Sequence, residues 1–258
     1  MIRRAILIGN NSGHSAPTVL KGVDKDLINY RNYLKSGIGG GWLTESEVVI
    51  LHNCSKREIL STIRNCYADY SFVVFSGHGF INSNDNLTYI CTSDGYLSEY
   101  DLKTRMSKQT LILDCCREIS VMENFTGDVA QSFEKGGRTA LASVYRTIIN
   151  ARQKFDLALA NSSEGMFTGY ACLTDQFSGD YPNSGGVFSS ALITAGMQFG
   201  SKDNYNTWLP VRAAFKNAAK IMSSDPFSPQ NPDYMTYPAT MQLTHPFALT
   251  NKLQRIIW

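Results

Sequence analysis

Thr110-Leu111-Ile112-Leu113-Asp114-Cys115-Cys116-Arg117 begins as a short apolar run and passes without a break into an acid and two thiols. A run of this kind fits a strand buried on both faces, the signature of a parallel sheet. Residues 4–9, 47–51, 71–75 and 139–144 read the same way, with 240–243 as a sixth strand and 86–92 as a short one in an excursion. Between them lie helical patterns. Residues 24–35 carry Leu27, Ile28, Tyr30, Tyr33 and Leu34 on one face, and 55–66 open with Ser55 and Glu58, a capping box. Residues 98–106, 186–198 and 207–222 complete the set. Strands alternating with helices predict an α/β fold, with a mostly parallel six-stranded central sheet and helices on both faces.

The chain has 258 residues, 43% hydrophobic and 18% charged, enough to bury a substantial core, and residues 1–258 read as a single domain. A formal charge of +2 argues against a nucleic-acid partner. No apolar run approaches the roughly 18 residues of a membrane span, and the opening Met1 to Gly9 is too short for a signal-peptide core. The expectation is a soluble, cytoplasmic protein without a membrane partner.

Six cysteines, Cys54, Cys66, Cys91, Cys115, Cys116 and Cys172, are expected to be reduced in such a compartment. No C-x-x-C pair occurs, so no metal site is expected; His52 with Cys54 and Cys66 lacks a second close-spaced pair.

Sites in open parallel sheets form beyond the carboxyl ends of the strands. Ser76-Gly77-His78-Gly79 follows the third strand, and Asp114-Cys115-Cys116-Arg117 follows the fourth. If these strands are neighbours, His78 and Cys116 emerge on one rim. A thiol is mostly protonated at neutral pH, and an imidazole can take its proton or stabilise the thiolate. The amides of Gly79 and Cys116 would supply an oxyanion hole. Consecutive residues leaving a strand point in opposite directions, so one of the two cysteines should face the core and the other the rim.

These motifs resemble the caspase-like cysteine peptidases, most closely the metacaspases and prokaryotic caspase homologues. Asp114-Cys115-Cys116 matches the nucleophile motif and Ser76-Gly77-His78-Gly79 the His-Gly motif. Softer matches are residues 4–9 (first strand), Leu20-Lys21-Gly22-Val23-Asp24-Lys25-Asp26, Gly186-Val187-Phe188-Ser189, and Gln230-Asn231-Pro232 with His245-Pro246-Phe247. Arg117-Glu118 departs from the usual His-Ser-Gly after the nucleophile. The resemblance implies a caspase-like sandwich and a Cys116–His78 dyad. It also implies cleavage of proteins after Arg or Lys, with Asp26 and Asp114 flooring the specificity pocket. A buried carboxylate pair suits a guanidinium or ammonium, which relieves its repulsion.

From Phe155 to Ser201 there is no Lys or Arg, while Asp156, Glu164, Asp175 and Asp180 fall there. One reading is a long acidic loop beside a basic-specific site, presenting nothing to cut. Processing would then fall earlier, at Lys135, Arg138, Arg146, Arg152 or Lys154; the plainer reading is a loop and an apolar helix that lack bases. No cofactor is required for this chemistry. Many metacaspases need calcium, but no EF-hand pattern occurs. The bare catalytic domain is expected to be switched by an upstream protease, a regulator or an ion, and stand-alone prokaryotic relatives are associated with antiviral defence and cell death. The rivals are an inactive homologue acting as scaffold or regulator, an acyl transferase or deamidase, and a nucleotide-binding module. For the last, Gly37-Ile38-Gly39-Gly40-Gly41 precedes a strand rather than a helix and reads as a turn.

Overall fold

The apolar runs become strands of one sheet in the computed structural model, which describes residues 1–14, 18–120, 144–181, 183–201, 207–224 and 230–250. The chain opens with β1 (Arg3–Asn10), α1 (Val23–Lys35), one helical turn α2 (Thr44–Glu47), β2 (Val48–His52), α3 (Lys56–Arg64) and β3 (Tyr70–Gly77). An excursion follows, made of β4 (Gly79–Asn82), β5 (Thr88–Thr92), β6 (Gly95–Ser98) and a 3₁₀ turn at Glu99–Leu102. Next come β7 (Lys108–Asp114), β8 (Ile119–Ser120), α4 (Val144–Asn161) and β9 (Gly165–Tyr170). The rest is β10 (Asp180–Tyr181), β11 (Gly185–Gly186), α5 (Val187–Ser201), β12 (Trp208–Pro210), α6 (Val211–Ser223), β13 (Asp233–Tyr237) and β14 (Pro246–Leu249).

The central sheet has six strands in the order β13-β9-β7-β3-β1-β2, parallel except for the antiparallel edge pair β13–β9. Side-chain alternation divides its residues between two cores. Ala5, Leu7, Phe72, Val74 and Ile112 pack with Leu27, Tyr30, Phe155, Phe188 and Phe215 of α1, α4, α5 and α6. Ile6, Ile8, Val73, Phe75, Leu111 and Leu113 pack on the other face with Ile59 and Ile63 of α3 and Leu102. Each such buried side chain contributes about 1.5–3 kcal/mol of transfer free energy, so both faces are held, as expected. The capping box at Ser55 and Glu58 starts α3.

Several expectations are corrected. Of residues 139–144, 139–143 lie outside the described residues and Val144 opens α4 rather than ending a strand. Residues 240–243 form no strand; the two outer strands beyond β7 are β9 and β13. Residues 98–106 hold the end of β6 and the 3₁₀ turn rather than an α-helix, and 207–222 divide into β12 and α6. The base-free stretch is not one loop, because it spans the end of α4, all of β9 and all of α5. Its Asp156 pairs with Arg3, Nε to Oδ1 3.5 Å. Among the described residues, no helix is long and apolar enough to cross a membrane.

Candidate active site

β3 and β7 are neighbours with Ser76 opposite Asp114, so two residues further on His78 and Cys116 leave the sheet at the same level of one rim. Alternation assigns the two thiols. Cys115 is 1% exposed within the α3-side core, whereas Cys116 is partly exposed at the rim. All six cysteines are free. A Cβ added to Gly79 would sit 2.6 Å from Cys115 Sγ, so the glycine is needed for β4 to pass over this thiol.

The amide of Gly79 can be placed from the ladder. Cys91 N–H donates to His78 O (2.9 Å) and Asn82 N–H to Leu87 O (3.0 Å), so even-numbered residues of β4 pair with β5. The odd-numbered amides face the other way. There Ile81 N–H donates to Glu118 O (2.9 Å), which puts the Gly79 amide on the side of the segment leaving Cys116.

His78 is 4% exposed, with Nε2 2.9 Å from the Thr18 carbonyl oxygen. A carbonyl only accepts, so in the neutral ring Nε2 carries the proton and Nδ1 the lone pair. Burial lowers the imidazole pKa below its usual value, against the opposing pull of the Thr18 carbonyl and Asp180. Burial also pushes the Cys116 thiol up to about 11, offset in part by the Ser178 N–H donating to Sγ at 3.3 Å. At neutral pH the free site therefore holds a thiol and a neutral imidazole rather than an ion pair.

Beside them lies a buried carboxylate cluster. Asp26, from the first turn of α1, is 1% exposed; Asp114, at the tip of β7, is 5% exposed. Asp26 accepts from Ser76 Oγ (2.6 Å) and from the Gly186 amide (2.9 and 3.0 Å). Asp114 accepts from Ser178 Oγ (2.6 Å), Ser189 Oγ (2.6 Å) and Ser189 N–H (3.0 Å). A Cβ on Gly186 would overlap Asp114 Oδ2, and one on Gly185 would overlap Asp26 Oδ1. Burial drives Asp26 well above the usual carboxylate range, and repulsion from Asp114 adds to it; burial raises Asp114 as well. Among the described residues, neither takes part in an ion pair.

The ribbon β10–β11 brings a third acid to the cluster. Asp180 stands opposite Gly186, accepts from Gly22 N–H (3.1 Å), and repels both Asp26 and Asp114. Its own pKa is raised by burial. The sequence marked Asp180 only as one acid in a base-free stretch, and Ser76 only as part of a motif. Thr18 and Ser178 carried no signal, since their parts follow from tertiary register. Of the candidate processing residues, Arg146, Arg152 and Lys154 fall in α4, while Lys135 and Arg138 lie outside the described residues. Among the described residues, no group of three or more His, Cys, Asp or Glu could hold a metal ion.

This arrangement can present a thiol, a base and an amide to a carbonyl, beside a buried cluster of acids. The sequence matches the family model of the caspase domain over residues 2–247. No curated protein matches it. The crystal structure of caspase-1 from Spodoptera frugiperda superposes with a TM-score of 0.59 at 16% identity, covering 99% of this chain and 91% of that one.

Proposed function

The chain belongs to the caspase-domain family of cysteine endopeptidases, and from that premise we propose that it cleaves proteins after arginine or lysine with a Cys116–His78 dyad. The observation that carries the specificity is the pair Asp26 and Asp114, both buried and, among the described residues, joined only to hydroxyls and amides. Two buried carboxylates without a cation are costly, and a guanidinium from the residue before the scissile bond offsets that cost. Asp180 adds a third charge at the same pocket.

In this reading His78 Nδ1 takes the thiol proton as Cys116 Sγ attacks the carbonyl carbon. The imidazolium that forms is favoured by the Thr18 carbonyl and by Asp180, the two groups that raise the His78 pKa. The developing oxyanion meets the Gly79 and Cys116 amides, each worth about 10²–10³ in rate. His78 then returns the proton to the leaving amine, and water hydrolyses the acyl-enzyme. This chemistry needs no metal or cofactor.

The motif spellings support placement nearest the metacaspases and prokaryotic homologues. The family resemblance extends the proposal to a regulated enzyme, switched by processing, a partner or calcium, in antiviral defence or cell death, and a cytoplasmic place is part of the same proposal. The decisive assay compares fluorogenic peptides ending in Arg, Lys and Asp, with and without calcium. Arg and Lys peptides turn over and the Asp peptide does not. Cys116→Ala and His78→Ala each lose at least about 10³-fold in kcat, whereas Cys115→Ala stays within a few-fold. A folded wild-type protein silent on every peptide leaves a scaffold, and turnover surviving in Cys116→Ala refutes the dyad.

A further inference from the structure

The outer face of α3 carries a groove that the site around Cys116 does not use. Its volume is about 530 Å³, and it is lined by Lys56, Arg57, Leu60, Ser61 and Arg64, with Asp94 of the β5–β6 turn on its far side. Arg57, Leu60, Ser61 and Arg64 recur at helical spacing and so form one stripe. Arg57, Ser61 and Arg64 are exposed, whereas Leu60 is half-buried against the core that holds Ile59 and Ile63. Lys56 lies across the turn at Gly95, where an added Cβ would come within 2.8 Å of Nζ. The groove thus has an apolar floor between cationic ends.

Its charges are unbalanced. The Glu58 carboxylate is taken up by the capping box, accepting Ser55 N–H (2.8 Å) and Ser55 Oγ (2.6 Å). Asp94 accepts Lys56 N–H (2.7 Å) and Thr92 Oγ1 (3.0 Å), and offsets the Lys56 ammonium in part. Among the described residues, neither Arg57 nor Arg64 takes part in an ion pair. Helix stability accounts for Arg64, in the last turn of α3, but not for Lys56 and Arg57. These two open the helix, where the positive end of its dipole disfavours cations.

We propose that this groove is a docking site for an acidic, extended segment of a partner protein. Guanidinium groups pair with carboxylates through two parallel hydrogen bonds, and Leu60 offers apolar contact between them. Arg57 and Arg64 are seven residues apart on the helix, about 10 Å along its axis. An extended segment covers that span in about three residues, so acids set two to four positions apart reach both arginines. A nucleic acid fits less well, since its backbone calls for a longer basic track and the chain carries a formal charge of only +2. The inference uses none of the residues of the proposed peptidase chemistry and stands independently of it.

The test measures fluorescence anisotropy of a fluorescein-labelled octaglutamate peptide against the full chain, with circular dichroism confirming that each variant is folded. Wild type should bind at low salt, with Kd rising at least about threefold between roughly 50 and 200 mM NaCl. Arg57→Gln and Arg64→Gln should each weaken binding about threefold, and the double variant about tenfold. Where the double variant does not fold, the single ones decide. The control is Lys216→Gln with Lys220→Gln, which removes the same charge from exposed positions of α6, packed on the other face of the sheet. Its Kd should stay within about twofold of wild type. Absence of binding overturns the proposal, and so does an equal loss in the control, which would mean attraction to net charge alone. Tighter binding of an oligothymidylate of equal charge through the same two arginines also overturns it, making the groove a nucleic-acid surface instead.

Discussion

A buried carboxyl can work against the fold while serving a site, the part proposed for Asp26 and Asp114. Burial raises both pKa values in the folded protein above those of the unfolded chain. Their stabilising contribution is therefore complete below the unfolded carboxyl range and is lost as pH rises through the folded values. At neutral pH the cluster is a liability, which in the proposed reading the basic residue of a substrate relieves. Asp26→Asn keeps an acceptor for the Gly186 amide and removes the charge. It should raise the thermal midpoint at pH 7 by about 2–4 °C for each kcal/mol recovered, while KM for an Arg peptide rises at least about tenfold. Differential scanning calorimetry and steady-state kinetics on one preparation check both. An unchanged KM would remove Asp26 from the pocket, and a lowered midpoint would show that its hydrogen bonds outweigh its burial.

Helix α4 decides which candidate processing positions are reachable. A peptidase of this kind takes its substrate extended, so a basic residue inside a helix must first unwind. Arg146, Arg152 and Lys154 are in α4, and Arg152 is further held by a bidentate pair to Glu47 (2.7 and 2.8 Å) and a bond to Gly41 O (3.1 Å). Any self-processing is expected first at Lys135 or Arg138. N-terminal sequencing of fragments from incubated protein tests this; a first cut at Arg146, Arg152 or Lys154 or within 155–201 overturns it. The same element scale explains what could be read in advance. β1, β3 and β7 were legible because both faces of each strand are covered, which demands unbroken apolar runs such as Ala5 to Ile8. β9 was not, because Gly-Met-Phe-Thr-Gly-Tyr contains two glycines. One of them, Gly169, is required because a Cβ there would overlap the Phe215 ring. β13 is a half-exposed edge strand, Asp-Tyr-Met-Thr-Tyr, whose side chains need no apolar pattern. The His78 and Cys116 motifs were legible because strand tips carry local sequence. The part of Asp180 depends on a contact across 158 positions, which no local pattern encodes.

At the scale of the whole molecule, stability against acid is set by groups of opposite sign, and His245 is the one to isolate. It is fully buried between the sheet and the segment entering α6. Its Nδ1 is 3.0 Å from Thr110 Oγ1, its ring is 5.2 Å from that of Tyr70, and its carbonyl accepts from Val211 N–H. Burial, with repulsion from Lys108, lowers its pKa to about 3. The unfolded chain binds this proton near pH 6.5 and the folded protein does not. Stability from this group is thus present above about pH 6.5 and declines toward pH 3, by roughly 1.4 kcal/mol per pH unit. Asp26, Asp114 and Asp180 oppose the decline, because their raised values favour proton uptake in the folded state over the same fall in pH. His245→Asn should cost stability at pH 7 through lost packing, yet lose about 2–3 kcal/mol less than wild type between pH 6.5 and 4.5. Urea midpoints across that range give the slope directly. Parallel curves for the two proteins would mean that His245 takes its proton in the folded state, and acid sensitivity would then have to originate elsewhere in the fold.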